Sequence, residues 1–260
     1  MPDPENTNAR ARDIPHHLQV VLDEAAHDRG YRIAKGEAAG WRFYQSATAP
    51  GEIALAGAGL SGPFFVSLTH GGVARDLDHS AASPPAKGHI SAFVFDDRDS
   101  FYAAVQEIYR KSVSVPSGPL DEFESKTSTL GDTEAERQQK VRIGQDIFRN
   151  ALIQYWNGTC PMTGIADPAL LRASHIKPWA SCDSDAERLD VYNGFLLSSL
   201  WDAAFDEGLI SFDDQGAVMV SSLLSMAALN ALQPGGVAPL PVRPQHVEML
   251  RWHHRTIWTP

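Results

Sequence analysis

The sequence predicts an α+β protein with two compact parts, and three observations indicate this. Short β-rich runs follow an amphipathic helix in the first part, a long amphipathic helix begins after residue 132, and further short strands and helices follow it. At 260 residues the chain exceeds the usual size of one domain. We therefore expect an N-terminal α+β domain over residues 1–115, a linker over 116–132 and a C-terminal domain over 133–260.

The N-terminal domain is predicted to begin with a helix and to continue as a sheet. In the run HHLQVVLDEAAHDRG, apolar residues recur at helical spacing from Leu18 to Ala25, and Gly30 is a typical end of a helix. The runs that follow are short and β-rich, which predicts a mostly antiparallel sheet: YRIA, WRFYQS, EIALAG, PFFVSLTH and HISAFVF. A second amphipathic helix, containing SFYAAVQEIYRK, closes this domain.

The linker and the C-terminal domain follow from a change of pattern. Ser, Pro, Gly and acidic residues without a helical period predict the linker at 116–132. Helical patterning resumes at Thr133 and runs to Trp156, with a predicted buried stripe at Val141, Ile147, Phe148, Ala151, Leu152 and Tyr155. The remaining sequence predicts a strand, a polar loop, a second strand, a short helix, a hairpin and a last helix over QHVEMLRWHHRTIW.

The composition excludes several classes of protein. Hydrophobic residues make up 43% and charged residues 21%, which is close to the globular average and excludes a disordered or fibrous chain. The apolar runs are far shorter than the roughly 20 residues of a membrane-spanning helix. The polar N-terminus lacks the apolar segment of a secretory signal, so we expect a cytoplasmic protein with no membrane partner. Cys160 and Cys182 are then expected to be reduced.

Three polar residues of the C-terminal domain fall where a hairpin and its helix would bring them together. His175 ends a strand candidate, Asn193 opens the next strand, and Asp202 lies in the short helix that follows. A base, an amide and a carboxylate in this order are typical of a small metal site.

Four ordered blocks around these residues resemble the HNH endonuclease family. They are CPMTG at 160–164, ASHIKPW at 173–179, NGFLLSS at 193–199 and DAAFDEGLISF at 202–212. The motif R-x-G-Q-x-x-F-R in the preceding helix also matches, and the resemblance covers roughly residues 133–260. One block alone carries little information, since an N-G pair is usually a turn. Together, the blocks imply a ββα-metal fold and metal-assisted hydrolysis of phosphodiester bonds in DNA.

The resemblance also implies roles for individual residues. His175 corresponds to the general base, and Asn193 to the residue that orients it through hydrogen bonds to the backbone. Thr163 stands where zinc-binding relatives have a second cysteine, so no structural zinc is expected. Oxygen donors favour Mg²⁺ or Mn²⁺, and the candidate metal ligands are Asp202, Ser174 and Asp206.

Basic residues near the expected site are candidates for contacts with DNA phosphates. They are Arg142, Arg149, Arg172 and Lys177. The arginines at 142 and 149 can equally pair with acidic residues on their own helix.

The N-terminal domain is expected to recognise DNA. Modification-dependent restriction enzymes couple a separate reader to this kind of nuclease, so DNA with modified bases is an expected target by analogy. Cutting of both strands would suit a homodimer. Aromatic residues of this domain either line a pocket for a flipped base or pack in the core, and their alternation favours the core: Trp41, Phe43, Tyr44, Phe64 and Phe65.

The net charge of −10 keeps a second function open. DNA-binding proteins usually carry a basic surface, so both the charge and Ser174 favour a catalytically weak HNH scaffold that binds nucleic acid or protein without cutting. Many of the acidic residues, however, lie in the linker and in the polar loop. For a nuclease, this charge predicts low, salt-sensitive non-specific affinity, with selectivity supplied by the N-terminal domain.

Overall fold

The computed structural model describes residues 14–77, 79, 81–82, 85–114 and 117–260. The chain divides into two compact units, Met1–Val113 and Ser114–Pro260. Both units combine helices with strands, so the α+β class is confirmed. The polar N-terminus, residues 1–13, and the start of the expected linker, residues 115–116, lie outside the described residues. In the described part of the chain, no helix has the length and apolar character that crossing a membrane requires.

The first unit is an antiparallel sheet with three helices in its described residues. The helices are α1 (His16–His27), α2 (Gly71–Asp76) and α3 (Arg98–Ser114). The strands are β1 (Ile33–Ala38), β2 (Trp41–Gln45), β3 (Glu52–Gly57), β4 (Phe64–Leu68), β5 (Ala81–Ala82) and β6 (Ser91–Phe95). Among the described residues the strand order is β1-β2-β3-β4-β6-β5, and each neighbouring pair is antiparallel.

The aromatic residues of the first unit lie on both faces of its sheet. Consecutive residues of a strand point to opposite faces, so Phe43 is separated from Tyr44, and Phe64 from Phe65. Tyr44 and Phe64 are fully buried in the core. Trp41 contacts Phe65 edge to face, with ring centroids 6.4 Å apart. These five side chains therefore do not line one pocket.

The second unit is built from helices packed around two small hairpins. The helices are α4 (Ser117–Thr127), α5 (Glu134–Tyr155), α6 (Asp185–Leu189), α7 (Ser199–Asp206), α8 (Met226–Leu232) and α9 (Pro244–Thr256). The strands are β7 (Leu171–His175), β8 (Gly194–Ser198), β9 (Ile210–Phe212) and β10 (Val218–Val220). Strand β7 pairs with β8, and β9 with β10, both antiparallel. Together β7, β8 and α7 provide the two strands and the helix that the resemblance implies.

Parts of the second unit differ from the sequence-based expectation. Ser117–Thr127 was expected to be irregular but forms α4, because Phe123 is buried against α5. The polar loop contains α6, which Ser184 caps by accepting a hydrogen bond from the Glu187 backbone N–H at 3.2 Å. The expectation that Val141 lies in the buried stripe is wrong: it is 36% exposed, and the buried face of α5 begins at Gly144.

Two glycines allow α5 to lie close to the β7–β8 hairpin. A Cβ atom at Gly194 would lie 2.5 Å from the Phe148 ring and 2.9 Å from the Ser174 carbonyl oxygen. A Cβ atom at Gly144 would lie 2.3 Å from the Trp179 indole. Both distances are shorter than a van der Waals contact, so only glycine admits these approaches. They bring α5 against the strand that ends at His175.

Candidate active site

His175 is held between two aromatic side chains. Its ring stacks on Phe148 of α5, with centroids 3.8 Å apart and planes inclined by 16°. The Trp179 ring approaches it edge to face at 5.9 Å. The imidazole is thereby half-buried, and its orientation is fixed by packing.

A backbone carbonyl determines which nitrogen of His175 carries the proton. Nε2 lies 2.9 Å from the Arg188 carbonyl oxygen, which can only accept a hydrogen bond. Nε2 is therefore protonated, and Nδ1 of the neutral ring retains its lone pair. Burial lowers the pKa of His175, while the bond to the Arg188 carbonyl opposes that change. The imidazole is thus neutral near pH 7, which is the form that a general base requires.

Asn193 joins the end of β7 to the loop that contains α6. Its Oδ1 accepts a hydrogen bond from the Lys177 N–H at 2.8 Å. Its Nδ2 donates to the carbonyl oxygens of Lys177 at 3.1 Å and Glu187 at 3.2 Å. Asn193 is completely buried, and it orders the backbone that follows His175.

Two carboxylates lie one turn apart on α7, beside the hydroxyl of Ser174. The Ser174 Oγ donates to Asp206 Oδ1 at 3.4 Å. Burial raises the pKa of Asp202, with the Ser174 hydroxyl and the charge of Arg172 opposing the change. Burial and the charge of Asp202 raise the pKa of Asp206 to about 6. A buried carboxylate whose pKa is raised by a neighbouring carboxylate is stabilised in its charged form by a nearby cation.

The oxygen donors at this site fit a hydrated divalent cation. Asp202 and Asp206 supply carboxylates and Ser174 a hydroxyl, which are the hard ligands that Mg²⁺ and Mn²⁺ prefer. No group of three or more His, Cys, Asp and Glu side chains suited to a metal occurs in the described parts of the chain. Water would therefore complete the coordination, as is usual for Mg²⁺.

A cleft of about 260 Å³ opens next to these groups, and its lining includes His175, Trp179, Asp206 and His253. His253 is fully buried, and its ring stacks on Phe205 with centroids 4.2 Å apart. Burial lowers the pKa of His253 to about 4. His253 is thus a neutral, buried residue in the last turn of α9.

The basic candidates for phosphate contacts differ in how they are bonded. Arg142 is exposed on α5 and has no hydrogen-bond or ion-pair partner among the described residues. Arg149 donates to the carbonyl oxygens of Leu171 at 3.0 Å and Pro168 at 2.9 Å, so it fixes the start of β7. Arg172 is exposed and donates from Nη1 to the carbonyl oxygens of Ala169 at 3.0 Å and Leu171 at 2.9 Å. Its positive charge opposes the rise in the pKa of Asp202.

Lys177 is bonded within the protein. It is 8% exposed, and its Nζ lies 2.9 Å from Asp183 Oδ2 and 2.9 Å from Glu187 Oε1. These carboxylates raise the pKa of Lys177, with hydrogen bonding as the largest cause. The ammonium group of Lys177 is thus paired with two carboxylates of the protein itself, a feature that the sequence analysis did not anticipate.

Both cysteines are buried thiols. Cys160 begins the turn CPMTG, in which its carbonyl oxygen accepts a hydrogen bond from the Gly164 N–H at 2.9 Å. Cys182 Sγ accepts a hydrogen bond from Asn193 Nδ2 at 3.3 Å. Burial raises the pKa of Cys182, which favours its protonated form.

The sequence analysis named Asn193 as an orienting residue but did not identify the two groups that contact the His175 ring, Phe148 and the Arg188 carbonyl. Phe148 was placed in the buried stripe of α5, but its stacking on His175 depends on how helix and hairpin pack. The Arg188 carbonyl had no sequence signal, since any residue supplies a backbone oxygen. The motif R-x-G-Q-x-x-F-R, which matched the family resemblance, is a signal that could have indicated this packing, because it contains Gly144, Phe148 and Arg149.

Comparison with known proteins assigns this region to a family. Residues 160–213 match the HNH endonuclease family. The match includes the β7–β8 hairpin, α7 and every candidate residue from Arg172 to Asp206, whereas the first unit lies outside it. No curated protein matches this chain.

Proposed function

We propose that this protein, in which residues 160–213 form an HNH endonuclease segment, hydrolyses phosphodiester bonds of DNA with the help of a divalent metal. The observation that carries the proposal is the protonation and the orientation of the His175 ring. Its neutral ring is oriented by Phe148 and by the Arg188 carbonyl, its Nδ1 retains a lone pair, and His175 and Asp206 both line the same cleft.

In the proposed mechanism, Nδ1 of His175 takes a proton from a water molecule. The water oxygen forms a bond to phosphorus as the bond from phosphorus to the 3′ oxygen breaks, and the departing oxygen is protonated by solvent. Arg172, exposed beside Asp202, contacts the phosphate. Asp202 and Asp206, with Ser174, would hold a divalent ion, which supplies stabilisation of negative charge on the phosphate and on the leaving oxygen.

The proposal extends to a restriction or defence role. The first unit recognises DNA, with base modification as the proposed feature, and a homodimer cuts both strands. The first unit provides a separate folded body that could carry out recognition. This part of the proposal rests on analogy with restriction enzymes and not on the site.

Cleavage of plasmid DNA tests the proposal. We expect cutting with Mg²⁺ or Mn²⁺, none in chelator, and a loss of roughly a thousandfold or more in His175→Ala, since removal of a general base costs about that much. His17→Ala, which removes an exposed histidine of α1, is the matched control. Undiminished cutting by His175→Ala would contradict the site. A panel of DNAs differing only in base modification tests the recognition step.

The observation that favours a second function is the small number of candidate metal ligands, namely Asp202, Asp206 and Ser174. A catalytically weak HNH scaffold would bind DNA or a protein in chelator and show no turnover on any DNA of the panel. That result would replace the nuclease proposal with a binding function.

A further inference from the structure

Lys177 lies two residues after His175, and its side chain points back into the protein fold. The ammonium group bridges Asp183 and Glu187, with Nζ also 3.0 Å from Glu187 Oε2. Glu187 belongs to α6, and the next residue, Arg188, supplies the carbonyl that receives the His175 Nε2 proton. A single side chain thus connects the strand that ends at His175 to the helix that orients it.

The helix α6 needs this connection because it is short. It has five residues, Asp185–Leu189, and a helix of that length is not stable by itself in water. Its first turn is held by the Ser184 cap and by the Glu187 carboxylate, which accepts a hydrogen bond from the Asp183 N–H at 2.7 Å. Lys177 binds the same carboxylate. The ion pair is therefore one of the contacts that hold α6, together with the hydrogen bonds from the Arg188 guanidinium to the carbonyl oxygens of Trp179 at 3.2 Å and Cys182 at 2.7 Å.

We propose that Lys177 is a positioning residue for His175: through Glu187 it fixes α6, and so holds the Arg188 carbonyl where it fixes the proton and the plane of the imidazole. This inference rests on the proposed function, in which His175 is the general base. It replaces the expectation that Lys177 contacts DNA. Asn193 holds the backbone of the same loop through hydrogen bonds. Lys177 adds an ion pair with Asp183 and Glu187, which sequence motifs do not reveal.

The proposal and the phosphate-contact hypothesis predict changes in different quantities when Lys177 is replaced: the first in kcat, the second in DNA affinity. For a positioning residue, Lys177→Met lowers kcat by roughly tenfold to a hundredfold, the loss that a small misplacement of a catalytic group produces, with KM and DNA affinity unchanged. For a phosphate contact, the same variant weakens DNA binding and makes its salt dependence shallower by about one unit of slope. Lys126→Met is the matched control, since it removes an exposed lysine of α4.

Glu187→Gln separates the two hypotheses by changing a partner of Lys177 instead of the lysine itself. It removes one of the two carboxylate charges that bind Lys177 and leaves both Asp183 and the lysine in place. A phosphate contact would be released and would bind DNA more tightly. A positioning residue would lose its anchor, so that kcat falls as in Lys177→Met and DNA affinity stays constant. Lys177→Arg, which keeps the charge, is expected to recover most of the lost kcat.

A spectroscopic measurement keeps the inference testable without turnover. In protein labelled with ¹⁵N-histidine, the His175 Nε2 proton is expected to exchange slowly with water in the wild type, because it is hydrogen-bonded. It should exchange about tenfold faster or more in Lys177→Met, while the folded fraction, monitored by circular dichroism, is unchanged. Slow exchange in that variant would overturn the role of Lys177. Absence of cleavage by the wild type would instead contradict only the proposed function.

Discussion

Asn193 is the most highly bonded polar side chain of the candidate site, and replacing it should affect stability as well as activity. Asn193→Ala leaves the Lys177 N–H and the Lys177 and Glu187 carbonyl oxygens without their partner in a buried place. We expect the free energy of unfolding to fall by about 3 kcal/mol, the cost of leaving buried polar groups unpaired.

Urea denaturation measures this change. Asn150→Ala, at an exposed position of α5, is the matched control and should change stability by less than about 0.5 kcal/mol. Equal stability of the two variants would mean that the Asn193 hydrogen bonds contribute little, and that its place in the motif has another cause.

His253 should make stability depend on pH. Its pKa is lowered from 6.5 to about 4 by burial, so the unfolded chain takes up a proton at a higher pH than the folded protein does. The stability that His253 contributes is complete above about pH 6.5 and is lost as the pH falls towards 4. Between about pH 8 and pH 5 the loss amounts to roughly 2 kcal/mol.

Comparison with His253→Gln isolates this effect in urea denaturation at the two pH values. The raised pKa values of Asp190 and Asp206 act with the opposite sign, but they are common to both proteins. The wild type should therefore lose more stability on acidification than the variant. Equal losses would mean that His253 has an ordinary pKa in the folded protein.

The candidate residues could be predicted from sequence because their motifs are local. His175, Asn193 and Asp202 each lie in a short block with a fixed order along the chain. The partners that orient them could not be predicted, since they are brought together by packing between distant segments. Lys177 shows most clearly what the sequence could not predict. A lysine near a nuclease motif indicates a phosphate contact, and only the fold shows the carboxylates that bind it.

At the scale of elements, the approach of α5 to the hairpin is the critical contact. Gly144→Ala places a methyl group 2.3 Å from the Trp179 indole, so the helix or the ring must move. We expect a loss of stability of about 1–3 kcal/mol, as for other overpacked positions, and a lower kcat, because Trp179 and Phe148 both contact His175.

Thermal unfolding and cleavage assays check this prediction. Gly235→Ala is the control in the same unit, since a Cβ atom there would meet nothing within 4 Å. A stable, fully active Gly144→Ala protein would show that α5 can shift without disturbing the site.

Helices with clear apolar spacing, such as α5, were predictable from sequence, whereas α4 and α6 were not. α5 has a capping box, in which Thr133 and Glu136 bond each other's backbone, and several turns of apolar spacing. α4 carries Gly118 and Pro119 in its first turn, which is typical of a loop, and it is helical because Phe123 packs on α5. α6 is held by its cap and by the Lys177 ion pair. Tertiary contacts decide such cases, and they are not visible in a local pattern.

At the scale of the molecule, the second unit contains every candidate residue of the site. Two clusters of buried side chains lie in this unit, one around Phe195 and Trp201 and one around Phe148 and Leu152. We therefore predict that a fragment over residues 117–260 folds cooperatively and retains the nuclease activity of the whole protein, while losing the proposed discrimination between DNAs.

Urea denaturation and the same panel of DNAs check the fragment. A single cooperative transition with unselective cutting supports independent domains. A fragment without a transition would mean that the second unit needs the first to fold. A folded fragment that still discriminates between DNAs would place recognition in the second unit.

The Cys182 thiol, which accepts a hydrogen bond from Asn193, can report on transient opening of the loop that contains α6. The thiol is buried, so a labelling reagent can react only in molecules whose loop has transiently come away from the hairpin. With Cys160 replaced by alanine, the rate of Cys182 modification measures how often the loop that contains α6 opens in the native state. Bound metal or DNA that stabilises the closed loop should slow that reaction, so that one natural sulfur atom records ligand binding.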